Sequence, residues 1–560
     1  MKRAKKNHPQ QKTNNTDRNN AIAQLQNPSL YQSSHSAEQS YALALQHYFE
    51  SHLPQAERIC RQILQAEPDQ PHALHLLGVI AHQMGDFDAA FELIKKALIN
   101  KPDYSDAHNN LGNVLKDLNK FDDALTSFHQ ALKIIPNSAE VHNNIGIVLN
   151  KLNRLDESVS SYKTALSKKP DYAEAHNNLG HVLKRQNMLE EALESYQKAI
   201  TIMPEYVEAH QNLGVALQEM NMLDESIQSH STALKIDPEN VATKFYLSLS
   251  LLSSGDYIHG LPLFDYRLIH DVESVGTRFF PPPFWDGSNL QGQKILIWGE
   301  QGIGDEILYA LFFSELISRG AHCYIECQPR LVNLFKRSFP LAKVYPRKEE
   351  PDPELLNPNI NYQSPSGSLL QWLLAPFEKG EINEKYLLAD RDESSVFRSR
   401  YRTNGMNKIV GIGWATSFLT EGWDNIPLET FDLLLEVPGV QFVSVQYGEH
   451  SAELEASFQR TGVKILEDKE VDPLQNMDSF ASQLTSMDLV ITLTNSTAAL
   501  ACALGVPTWG ISSPIVDWRF GNKSENNLWY PSLRLFRQSD KTDWSSISKD
   551  LAQAFKEYLD

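Results

Sequence analysis

Proline stands at positions 68, 102, 136, 170, 204 and 238, each 34 residues beyond the last. Alanine keeps the same step at 97, 131, 165, 199 and 233, and glycine at 78, 112, 146, 180 and 214. A segment that repeats itself in this way does not form one globular core. Each unit buries its apolar face on the next, and the product is a stack. The residue types describe the stacked unit. Gly78 and its equivalents remove a side chain where two helices of a hairpin approach closely. The small alanines sit where the second helix crosses the following repeat. Each proline ends the second helix, because it cannot continue one. Phe87, Phe121 and Leu155 are expected to fill one core slot, and Phe128, Tyr162 and Tyr196 another.

A strict period of 34 is the tetratricopeptide signature. Repeats starting at Ala37, Pro71, Ser105, Ala139, Ala173, Val207 and Val241 predict an all-α solenoid over residues 37–272. It is expected to be right-handed with a concave groove, and its degenerate first and last repeats to act as caps. The motif HNNLG at His108–Gly112 and His176–Gly180 has variants at His142–Gly146 and His210–Gly214. These histidines cannot share a metal. Successive copies lie two packed helices apart, each ~8–10 Å, whereas zinc ligands sit ~2 Å from the ion. They are read as packing residues. Asn110, Asn144, Asn178 and Asn212 fall at one position on successive first helices. A carboxamide both donates and accepts, so this ladder is a candidate peptide groove. The plainer reading is ordinary repeat consensus.

With 560 residues the chain suits two or three domains. Lys plus Arg total 51 and Asp plus Glu 70, a formal charge of −19. That balance argues against general nucleic-acid binding and against docking on anionic lipid. The four cysteines, Cys60, Cys323, Cys327 and Cys502, are too few for a disulfide framework and read as free thiols. Cys323 and Cys327 fall four apart on a predicted strand, ~13 Å along it, so they are no metal hook. No metal site and no cofactor is expected. Residues 1–36 are polar and basic and read as a flexible tail. No apolar run follows them and no membrane span occurs, so a cytoplasmic location is expected.

The period stops after Arg267. The stretch VESVGTRFFPPPFWDGSNLQGQ reads as a linker, placed at 273–290. KILIWGEQGIGDEI then gives strand, glycine turn and helix, the opening of a doubly wound sheet. Strand-helix alternation restarts at Lys408 with KIVGIGW and continues through QFVSVQY, DLVITLT and VPTWGI. The expectation is an α/β region of two lobes, 291–395 and 396–560, with a cleft at the strand carboxyl ends. The last helix carries Trp544, Ile547, Leu551, Phe555 and Leu559 on one face and is expected to pack back across both lobes.

The combination of GEQGIGDEI, IECQPRLVNLFKRSFP, NIPLETF, FVSVQYG, DLVITLTNSTAALACALGVPTW and WYPSLRLFRQ resembles the glycosyltransferase-like domain of bacterial tetratricopeptide proteins. That domain is similar to the heptosyltransferases of lipopolysaccharide synthesis. More distantly, the layout resembles the O-GlcNAc transferases. The resemblance covers about residues 285–560 plus the repeats. It implies a GT-B (double Rossmann-like) fold and metal-independent transfer of a sugar from a nucleotide-diphosphate donor to an acceptor hydroxyl. The nucleotide sugar is then a substrate, and the repeats recruit a protein or glycan acceptor. Asp305 matches the family's carboxylate after the glycine loop of Gly299, Gly302 and Gly304, and would be the general base. Asn495, Ser496 and Thr497 would hold the donor diphosphate at a helix start. Asp517, Trp518 and Arg519 would touch the nucleoside or a phosphate, with Arg534 and Arg537 nearby.

Two places depart from the family pattern. Thr494 and Ala499 stand where relatives carry Asp and His, and the loop ATSFLTEGWDN lacks a basic residue but holds Glu421 and Asp424. A diphosphate leaving group needs positive charge, and a helix terminus supplies only about half a charge. Two readings therefore stand. One is an active transferase. The other is a non-catalytic repeat scaffold whose second half binds a nucleotide, sugar or protein.

Overall fold

The computed structural model describes residues 37–270, 276, 278–300, 302–378, 385–402, 406–416, 425–521, 527–538 and 544–559. The basic tail and the loop residues Glu421 and Asp424 lie outside them. Backbone contacts divide the chain into two compact units, Met1–Val182 and Leu183–Asp560.

The first unit is helical: α1 Ala37–Phe49, α2 Leu53–Ala66, α3 Pro71–Gln83, α4 Phe87–Asn100, α5 Ser105–Asp117, α6 Phe121–Ile134, α7 Ala139–Lys151, α8 Leu155–Lys168 and most of α9 Ala173–Arg185. Helices start at each of the expected repeat positions. Gly112 and Gly146 work as expected: a Cβ on either would overlap the ring of Phe128 or Tyr162. Phe128 and Tyr162 are fully buried, as are Ala97, Ala131 and Ala165. Phe87, Phe121 and Leu155 open the second helices and are only half-buried.

The repeat pattern continues in the second unit with α10 Leu189–Ile202, α11 Val207–Glu219, α12 Leu223–Ile236 and α13 Val241–Ser254. Two short helices follow, α14 Tyr257–Phe264 and α15 Arg267–His270. No described residue before Lys294 belongs to a strand. Residues from Leu183 to His270 thus belong to the same compact unit as the strands, although the 34-residue pattern runs on through them.

Two parallel sheets come next. The first contains β1 Lys294–Trp298, β2 His322–Cys327, β3 Lys343–Pro346 and β4 Tyr362–Pro365, in the order β3-β2-β1-β4. The second contains β5 Lys408–Ile412, β6 Val440–Ser444, β7 Leu489–Leu493, β8 Thr508–Ser512 and β9 Leu533–Arg537, in the order β6-β5-β7-β8-β9. In each sheet the strand order reverses at the first strand, β1 or β5. Such a reversal opens a crevice at the carboxyl ends. Helices α16 Ile303–Tyr309, following β1, and α17 Ser496–Ala503, following β7, are the ones that matter for that crevice. The closing helix α18, Ser545–Leu559, departs from expectation. Its buried face (Ile547, Leu551, Phe555) joins Phe442, Trp509 and Phe536 in the core of the second sheet and does not span both sheets. Phe555 finds its aromatic partners there, Phe442 and Trp509, at 6.3 and 6.1 Å between ring centres.

The last helices of the array are locked to the first sheet by a buried ion pair. Arg267 sends Nε and Nη2 to the Glu300 carboxylate at 2.8 and 2.6 Å, and both side chains are fully buried. Glu300 also accepts the Gly367 N–H at 2.7 Å.

Candidate functional site

A cavity of about 900 Å³ opens at the carboxyl ends of both sheets, within the second unit. The loop after β1 contributes Gly302, Ile303 and Gly304, and the loop after β5 contributes Thr416. Thr494–Thr497 follow β7, residues 515–521 follow β8, and Arg537 ends β9. The helical segments supply Lys184, Arg185, Gln218, Glu219, Leu249 and Ser253.

The glycine loop is tight at Gly299. A Cβ on Gly299 would collide with the Glu306 carboxylate, and one on Gly304 would stand 3.5 Å from the Ser496 Cα. The start of α16 meets the start of α17 at Gly304 and Ser496, at a distance that would also hold a Cβ. Glu306 is buried, accepts the Gln328 N–H at 2.8 Å, and burial pushes its pKa up to about 7.

Asp305 is not a free base in this arrangement. One carboxylate oxygen accepts the Gly302 N–H at 3.2 Å, closing the helix start, and the other accepts Arg519 Nε at 2.5 Å. The same guanidinium reaches Asp517 at 3.3 Å. Burial opposes the charge of Arg519, but the Asp305 and Asp517 carboxylates hold it on. The residues assigned to acceptor and to donor are thus one coupled group.

Asn495 caps its own helix: its side-chain oxygen accepts the N–H groups of Thr497 and Ala498 at 2.9 and 3.3 Å. Ser496, the first residue of that helix, lines the cavity beside Thr494 and Thr497. Trp518 is buried rather than offered to a base; it packs edge-on against Phe264 and Trp529 at 5.5 and 6.2 Å. Arg537 donates to the carbonyls of Ser513, Ile515 and Gly521 at 2.9–3.1 Å and so shapes the loop after β8. Arg534 lies over Trp509 and Phe536. Sequence reasoning missed Arg330, which lines the cavity and donates to the Pro473 carbonyl at 3.2 Å. It also missed Lys184, paired with Glu219 at 2.7 Å. The arginine of IECQPRL, directly after a strand, was the available signal for Arg330.

The asparagine ladder is used between repeats. Asn144 Nδ2 donates to Asn109 Oδ1 at 3.0 Å, and Asn178 Nδ2 donates to Asn143 Oδ1 at 3.1 Å. Asn110 Nδ2 meets His75 Nε2 at 2.9 Å, where His75 holds the position of Asn109 one repeat earlier. Asn212 lies half-buried on α11. The HNNLG histidines are not core packing. His108 and His176 are half-buried and donate from Nε2 to the carbonyls of Pro102 and Pro170 at 2.9 and 3.0 Å. His210 does the same with Pro204 at 2.9 Å. All four cysteines are buried and free. No described helix is long and apolar enough to cross a membrane.

These features accord with known proteins in the helical part. Tetratricopeptide models match residues 50–109, 105–138, 173–206 and 207–240, and a further TPR repeat model matches 146–187. The helical array is a run of tetratricopeptide repeats, the class of module that binds other proteins. Among curated proteins, Protein FlbA of Caulobacter vibrioides is 25% identical over 321 residues, 55% of this chain and 54% of its own. The chain therefore spans about half the length of that relative. Among solved structures, MamA is 26% identical over 29% of this chain and 95% of its own, with a TM-score of 0.27. TTC0263, a thermophilic TPR protein of Thermus thermophilus, is 23% identical over 32% and 99%, with a TM-score of 0.30.

Proposed function

We propose that the two sheets form a GT-B glycosyltransferase domain that moves a sugar from a nucleotide-diphosphate donor to an acceptor hydroxyl. The repeats recruit the protein or glycan acceptor. The observation that carries the reading is the cavity of about 900 Å³ where Gly302–Gly304, Asn495–Thr497 and Arg519 converge. In this reading the positive charge that the loop lacks comes from Lys184, Arg330, Arg519 and Arg537, which line the cavity and would exchange part of their present bonds for the diphosphate. In the reaction Asp305 takes the acceptor proton, the acceptor oxygen bonds to the anomeric carbon, and the diphosphate leaves with its bonding electrons. Arg519 begins on Asp305 and shifts its guanidinium, still charged, to pair with the diphosphate when donor binds, which frees the carboxylate as a base. The Ser496 N–H and hydroxyl hold the other side of the diphosphate.

The scaffold reading draws support from the same pair, because a carboxylate already bonded on both oxygens is a poor base. Two measurements separate the readings. A thermal-shift panel of nucleotides and nucleotide sugars identifies the donor class, since a ligand stabilises by RT ln(1 + [L]/Kd). Turnover with that donor is then compared in wild type, Asp305→Asn and Arg519→Ala. Loss of a general base costs ~10²–10⁴-fold in rate, and Arg519→Ala is expected to weaken donor binding as well. Turnover of Asp305→Asn within a few-fold of wild type rejects the base. Nucleotide binding without turnover in wild type favours the scaffold.

A further inference from the structure

The helical hairpins turn in one repeated way. A residue at or just after the first helix's cap lies in the left-handed region: Ser51, Asn119, Asn153, Asn187 and Asn221 at φ 59–61°, Gly85 at 82° and Gly255 at 92°. The next N–H reaches back to the carbonyl five residues earlier. His52 bonds to His47 at 2.8 Å, Lys120 to Leu115 at 2.8 Å, and Asp86 to Ala81, Arg154 to Leu149 and Met222 to Leu217 at 2.9 Å. This is a Schellman turn, which brings the side chains of the two bonded residues together. Elsewhere in the array the earlier residue of the pair is Ala or Leu. In the first hairpin both are imidazoles, with Glu50 between them.

The side chains of His47, Glu50 and His52 each offer a ligand atom, and these atoms lie within 4.8 Å of one another. His52 Nδ1 stands 3.4 Å from Glu50 Oε2, and the two rings are 5.8 Å apart. His47 Nδ1 is shielded from solvent and meets no hydrogen-bond partner. Among the described residues this is the one group of three such side chains gathered at a point.

We propose that this turn binds a divalent transition-metal ion through both imidazoles and the Glu50 carboxylate, with water completing the coordination. Imidazole nitrogen selects zinc, nickel or copper over the hard oxygen-seeking ions. Ligand atoms around tetrahedral zinc lie ~3.3 Å apart, as follows from bonds of ~2.0 Å. Small rotations of the exposed Glu50 and His52 side chains close that gap. The ion also sits at the carboxyl end of α1, where the helix dipole favours positive charge. The ligands were invisible to spacing alone, because only the left-handed Ser51 folds His52 back beside His47.

The test is a calorimetric titration of the metal-stripped full chain with Zn²⁺ at pH 7.5, repeated for His52→Ala and Glu50→Gln. Both replaced side chains are exposed, and circular dichroism checks that each variant folds. One site per chain is expected in wild type. Binding at that site weakens at least about tenfold in His52→Ala, since even an outer-shell partner is typically worth about 10–100-fold, and less in Glu50→Gln. No uptake of Zn²⁺ by wild type, or a His52→Ala isotherm that overlays wild type, overturns the proposal.

Discussion

The repeats and the α/β region place buried polar groups in opposite ways. In the repeats a carboxamide finds its partner 35 residues away, as Asn144 does in Asn109, and the contact recurs when Asn178 meets Asn143. Where the last helix of the array joins the α/β region, Arg267 meets Glu300 at 33 residues and Ser368 at 101, and within that region Asp305 meets Arg519 at 214. Nothing repeats there. A repeated contact is backed by its copies and its loss stays local, because stability sums over neighbouring units. A unique contact has no copy, and its loss reaches everything it holds.

That contrast breaks first at Arg267. Removing one member of a fully buried ion pair leaves the other charge uncompensated and typically costs about 3–5 kcal/mol. Arg267→Met is expected to lower the denaturation midpoint of the α/β region by a shift of that size. Adding Glu300→Leu to it should restore most of the loss, because the stranded carboxylate is gone. A single variant that unfolds with wild type, followed by tryptophan fluorescence in urea, shows that the pair does not hold α15 to the first sheet.

Legibility followed the same line. The period of 34 located each repeat start, from Ala37 to Val241, because the same physical demand is printed many times. Even so, the left-handed turn residues went unread, although Asn119, Asn153, Asn187 and Asn221 keep the same step. In the α/β region, β1, β2 and β5–β8 were visible as apolar runs. β3, β4 and β9 were not; β3 reads KVYP and β4 YQSP, too short and too polar to stand out. Most of the residues named for the site do reach one cavity: Gly302, Gly304, Asn495–Thr497 and Asp517–Arg519. Their pairing was hidden. Nothing in the spacing of Asp305 and Arg519 says that they touch, and burial of Trp518 depends on Phe264, which lies in a helix far from it in sequence.

A smaller effect tests the repeats by acidity. His230 fills the slot held by Phe128, Tyr162 and Tyr196, fully buried, with neither ring nitrogen bonded. Burial drives its pKa down to about 4. The neutral ring is what the fold accepts. Above about pH 6.5 the ring is neutral folded and unfolded, so no stability is lost. Between about 6.5 and 4 the unfolded chain takes the proton and the folded one does not, and stability falls by up to about 3 kcal/mol. His230→Phe should remove that part of the acid sensitivity, so the variant gains more over wild type at pH 4.5 than at pH 7.5. An equal gain at both values shows that the ring does not titrate on unfolding.

The smallest expected effect decides what the asparagine ladder is for. Asn144→Ala deprives Asn109 of one donor, yet Asn109 still donates to Glu140 at 2.8 Å. One neutral hydrogen bond is worth about 1 kcal/mol. Asn144→Ala and Asn178→Ala should each cost about that much. Faster amide exchange should then be confined to the repeats on either side of the substitution. A staple between repeats predicts this local loss with partner capture intact. A peptide groove predicts the reverse: exchange unchanged and capture weakened, most of all when Asn110, Asn144, Asn178 and Asn212 are replaced together. Exchange and capture measured on the same variants separate the two, because a carboxamide bonded to the neighbouring repeat has little left to offer an extended chain.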